Sequence, residues 1–159
     1  MIDIKDLIPH RGPMLLVDRV IEIDLKANTM EASKTVRADE YFLQGHYPDF
    51  KIVPGVITCE MIFQTGAALI ASILGDSAQN LRESVPVITR TNNTRFKQMI
   101  FPDDEVHLKV ELVETLAGAF YMKGRALVNN KLAASVEFTC MMAPRPQAER
   151  IAIEDPARI

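Results

Sequence analysis

A single carboxylate, Glu60, interrupts a run that is otherwise uncharged from Pro54 to Gly75. Glutamate enters an apolar segment only with a partner or a chemical task. Gln64 follows one helical turn later, so a narrow polar strip would cross an apolar helix. Upstream, His46 stands in Gln44-Gly45-His46-Tyr47-Pro48, among aromatic and apolar neighbours. Between the two, Pro54-Gly55-Val56 opens the helical pattern. The first N–H groups of a helix have no internal acceptor and carry the positive end of its dipole. Gly55 has no side chain to keep a ligand away from them. An imidazole, a carboxyl and free backbone donors together suit removal of a proton next to a carbonyl. The donors would stabilise a developing oxyanion by roughly 3–4 kcal/mol. Two plainer readings stand beside this one: His46 as a packed histidine, and Glu60 facing a solvent gap or paired with an arginine such as Arg95.

The remaining candidates carry less. His10 lies in the turn-rich Pro9-His10-Arg11-Gly12-Pro13, where a structural role is expected. His107 falls on the polar side of an alternating run and should be solvated. Cys59 and Cys140 are 81 positions apart, with no paired cysteine or histidine nearby. No zinc site is spaced that way, and both read as buried, inert thiols.

These residues need elements to position them. Met14 to Asp24 reads as a first strand and Asn28 to Arg37 as its hairpin partner, followed by an irregular segment from Ala38 to Val53. Pro54-Gly55 opens the one strong helix, which runs to about Leu74 and stops at Gly75-Asp76. It is apolar nearly all round, as a buried helix must be. Afterwards the period becomes two. Val106, Leu108, Val110 and Leu112 alternate with charged residues, Phe120 to Val128 forms a further strand, and Asn129-Asn130 makes a tight turn. Leu132, Ala134, Val136, Phe138, Cys140 and Met142 then share one face. The expected architecture is α+β, an antiparallel sheet wrapped around one long central helix. Residues 1–142 form a single domain and 143–159, with three prolines, a peripheral tail.

With 159 residues, the chain is long enough for a core of its own, and 48% hydrophobic with 25% charged residues excludes a disordered or fibrous chain. A net charge of -3 argues against general nucleic-acid binding. The acidic start, Met1-Ile2-Asp3-Ile4-Lys5-Asp6, is unlike a secretory signal, and Met61 to Gly75 is short and polar-interrupted for a membrane span. A soluble cytoplasmic protein is expected.

Gly45-His46-Tyr47-Pro48, Pro54-Gly55-Val56 and Glu60-Met61-Ile62-Phe63-Gln64-Thr65-Gly66 resemble the active-site signature of the FabZ-type 3-hydroxyacyl-[acyl-carrier-protein] dehydratases, with the same fourteen-residue step from His46 to Glu60. Ile8-Pro9-His10-Arg11, Leu15-Leu16-Val17-Asp18-Arg19 and Thr94-Arg95-Phe96-Lys97 extend the resemblance. It implies a hot-dog fold, homodimers often assembled as a trimer of dimers, and no metal or organic cofactor. The implied substrate is a (3R)-3-hydroxyacyl thioester on the phosphopantetheine arm of acyl carrier protein. His46 would be the base, Glu60 the acid, and Gly55, with Val56 and Gln64, would contact substrate. The dehydratase/isomerase branch carries Asp where this chain has Glu60. Because such carriers are acidic, a local basic patch is needed, and Arg95 and Lys97 are the candidates. The chain departs from the usual pattern at Tyr47–Lys51, Val87–Arg90 and Pro102–Asp104, around the expected acyl tunnel, so acyl length stays open. A hot-dog thioesterase and a non-catalytic acyl-binding module are the rival functions.

Overall fold

In the computed structural model, residues 2–75 and 83–144 are described. A short helix α1 (Ile4–Leu7) precedes β1 (Arg19–Asp24) and β2 (Thr29–Thr35). A single 3₁₀ turn (Tyr41–Leu43) leads to the long helix α2 (Gly55–Leu74). Four strands follow: β3 (Ser84–Phe96), β4 (Glu105–Leu116), β5 (Ala119–Val128) and β6 (Lys131–Pro144). All six strands form one antiparallel sheet in the order β1-β2-β4-β5-β6-β3.

Helix α2 forms where its sequence allows. Pro54 caps its start, with its carbonyl accepting from Ile57 and Thr58 N–H, and Gly75 closes it in the left-handed conformation at φ 64°. By length and hydropathy α2 resembles a membrane span, but strands β2 to β6 pack around it. The inner sheet face is the alternating set read from sequence: Val106, Leu108, Val110, Phe120, Met122, Val136 and Phe138 are buried against α2. Each such side chain contributes about 1.5–3 kcal/mol. Gly124 permits the close approach, because a Cβ there would overlap Ile62 Cγ2 of α2.

Several boundaries differ from the sequence reading. Residues 14–18 are not strand: the Gln64 side chain takes the Leu16 N–H and the Met14 carbonyl, groups that a ladder would otherwise use. Leu132 is exposed rather than buried, because a register shift after Ala126 turns both Ala133 and Ala134 inward. Strand β3 has no counterpart among the expected strands. It holds Pro86 and the polar run Thr91–Arg95, which an edge strand tolerates and a periodicity test does not detect. Asn129 and Asn130, both at positive φ, make the expected turn. Strand β6 runs to Pro144, two residues into the expected tail; residues 145–159 lie outside the described residues.

Candidate active site

The irregular segment between the 3₁₀ turn and α2 holds His46. Gly45 and Tyr47 on either side adopt positive φ, at 82° and 52°, and the Tyr47 ring packs edge-on against the imidazole. His46 Nδ1 lies 2.9 Å from the Ile52 carbonyl oxygen. A carbonyl only accepts, so Nδ1 carries the proton and Nε2 keeps the lone pair of a base. The Val53 N–H donates to Ile100 O, tying this segment to the β3–β4 connection.

His46 opens onto a cavity of about 840 Å³ shared with Gly55, Val56, Thr58, Phe96 and Lys97. The lining is mainly apolar, as an acyl chain requires. Among the described residues, no acceptor engages the Gly55 or Val56 N–H. Phe96 Cε1 would lie 2.8 Å from a Cβ at residue 55, so glycine is what lets ring and helix start meet. Val56, which lines the same cavity, is 74% exposed.

Glu60 is not part of this lining. It projects from another face of α2, toward the segment between α1 and β1. Its Oε1 accepts from Gln64 Nε2 at 2.9 Å and lies 3.7 Å from His10 Nε2. Arg95 is not its partner: that side chain sits on the outer sheet face in a polar groove with Lys123 and Arg125. Gln64, expected to meet substrate, is fully buried and holds protein groups on both sides of its amide. Lys97, at the cavity, and Arg95, on the outer face, are not one patch. His107 is solvated as expected.

Electrostatics follow burial. His10 is held below its ordinary value chiefly by desolvation, opposed by the Glu60 carboxylate and helped by Arg11. Burial raises both thiols, Cys140 to about 12, which fits inert core cysteines. The sequence reading missed the nearness of His10 to Glu60. Fifty positions separate them, and no local pattern signals such a contact.

A sheet around one helix, with a histidine on one cavity with the helix start and a carboxyl farther along the helix, defines the class. The FabA-like domain model matches residues 8–137. A FabZ 3-hydroxyacyl-[acyl-carrier-protein] dehydratase of Syntrophotalea carbinolica is 37% identical over 147 residues, covering 92% of this chain and 97% of the relative. One of Albidiferax ferrireducens is 44% identical over 133 residues, covering 84% and 87%. Among solved structures, the dehydratase heterocomplex ApeI:P from Xenorhabdus doucetiae aligns with a TM-score of 0.76 at 15% identity, over 97% of this chain and 99% of that one. A phenylacetic acid degradation-related protein from Ralstonia eutropha aligns at 0.60 with 19% identity, over 79% and 83%, and shares the hot-dog fold. The chain belongs to the FabA-like family, in its branch of FabZ-type 3-hydroxyacyl-[acyl-carrier-protein] dehydratases.

Proposed function

We infer that this enzyme removes water from a (3R)-3-hydroxyacyl thioester on acyl carrier protein, giving the trans-2-enoyl thioester of fatty-acid or related acyl-chain synthesis. The observation that carries the mechanism is His46, with Nδ1 engaged by Ile52 O, on one cavity with the free Gly55 N–H. His46 Nε2 takes the Cα proton. The electron pair moves toward the thioester carbonyl, whose oxygen gains charge against the Gly55 N–H. The Cα=Cβ bond then forms as the β-hydroxyl departs with a proton from Glu60, leaving as water. No step calls on a metal or organic cofactor.

Glu60 lies outside the His46 cavity of its own chain, so the acid comes from a second copy. The second copy would pair antiparallel through β3, as a homodimer. Among the described residues that strand is a long unpaired edge with exposed Val87, Ile88 and Phe96, whereas the opposite edge, β1, is short and bulged. Such dimers can assemble further as a trimer of dimers. Lys97, at the cavity, is the first candidate to meet an acidic carrier, with Arg95 more remote. Enzyme and carrier work in the cytoplasm.

Mass spectrometry of carrier-bound 3-hydroxyacyl substrates of graded length tests the reaction. Loss of one water from the carrier-bound species is expected, and the preferred length describes the cavity. Release of free acid and carrier thiol would instead identify a thioesterase.

A further inference from the structure

Glu60 is the proton donor of the reading above, and the surroundings of its two oxygens differ. Oε1 receives Gln64 Nε2 at 2.9 Å and faces His10 Nε2 at 3.7 Å. No hydrogen bond reaches Oε2 among the described residues. The same Gln64 amide accepts from the Leu16 N–H at 2.9 Å and donates to the Met14 carbonyl at 2.7 Å, fixing the segment that carries His10. On the other side of that segment, Arg11 donates to the carbonyls of Lys5, Ile8 and His10. His10 is therefore clamped from both sides beside the carboxyl.

The imidazole itself has one occupied direction. His10 Nδ1 is buried with no hydrogen-bond partner among the described residues. In the neutral ring, a proton on Nδ1 would be a buried donor with no acceptor, whereas a proton on Nε2 points at Glu60 Oε1. Hydrogen bonds of catalytic groups tighten from such distances when a ligand binds.

We propose that His10 is a positioning residue for Glu60: together with Gln64 it occupies Oε1 with donors, so that the carboxyl proton sits on Oε2 and faces the substrate. An oxygen that receives one N–H group at 2.9 Å and faces a second at 3.7 Å is poorly placed to carry a proton, so the donors select the reactive oxygen without touching substrate. Other ionisable groups near this pair are Arg11, on the same segment as His10, and Tyr41, from the 3₁₀ turn.

The inference rests on Glu60 being the acid, and the test separates the two. Steady-state kinetics are measured on carrier-bound substrate for Glu60→Gln, His10→Ala, His10→Gln and His10→Asn, with thermal melting of each. A glutamine amide reaches where Nε2 lies, whereas an asparagine amide reaches only the Nδ1 position. His10→Ala and His10→Asn should lower kcat by roughly 10- to 100-fold with KM within about twofold, the scale of a misplaced reacting group. His10→Gln should restore most of kcat. Loss of Glu60→Gln activity together with full kcat in His10→Ala would overturn the role of His10 alone. Equal losses in the Gln and Asn variants would also overturn it, by showing a merely structural histidine. An active Glu60→Gln would overturn the acid assignment itself.

Discussion

His46 and Ile52 are joined by a 2.9 Å hydrogen bond from the imidazole Nδ1 to a main-chain carbonyl, and this contact decides which nitrogen is basic. It also separates the fold role of His46 from its chemical role. An asparagine amide can replace Nδ1–H toward Ile52 but offers no base at the Nε2 position. His46→Asn should therefore melt close to the wild type while losing at least about 10²-fold in kcat. A variant that keeps near-full turnover would remove His46 from the role of base.

Lys34 is fully buried, with Nζ 2.7 Å from Glu40 and 3.1 Å from Asp18, and Arg37 adds a second cation 3.0 Å from Glu40. Removing Glu40 leaves a buried ammonium with only the more exposed Asp18. Glu40→Ala should cost roughly 3–5 kcal/mol in chemical denaturation, and adding Lys34→Met should recover part of it. A loss below about 1 kcal/mol would contradict the network, being no more than a surface pair contributes.

The strands and helix that repeat a period were legible in the sequence. Strands β4, β5 and β6 bury one face and leave the other in water, and α2 has a cap, a stop and almost no charge. What escaped were features set by distant groups. Residues 14–18 lose their ladder to Gln64, forty-eight positions from Leu16. Among the described residues β3 pairs on one side only, so Pro86 and two register shifts break its pattern without breaking the strand. For the site, the order of His46, Gly55 and Glu60 was legible, but the partition of Glu60 onto another face with His10 was not.

Burial holds His10 below the ordinary histidine value of 6.5, so below that pH the unfolded chain binds a proton that the folded chain refuses. The contribution to stability is present above pH 6.5 and is lost as pH falls through the lower folded value. Wild-type Tm should fall more than that of His10→Gln on acidification from about pH 7 to about pH 5.5. Parallel slopes would show that His10 is not the group responsible.

Both cysteines are buried with raised pKa values. The native protein should react with a thiol reagent at about pH 8 far more slowly than the protein in denaturant, which should expose both thiols at once. Rapid native labelling of Cys140, read by peptide mass, would contradict its place in the core.

The central claim is that one active site takes His46 from one chain and Glu60 from another, and mixing two inactive variants addresses it most directly. His46→Ala and Glu60→Gln chains are unfolded and refolded together in equal amounts, and mixed dimers are quantified by native mass spectrometry. Random pairing makes half the dimers mixed, and each holds one doubly altered site and one intact site. About a quarter of wild-type activity per site should return, although neither parent is active alone. No recovery in the presence of mixed dimers would contradict a site shared between chains.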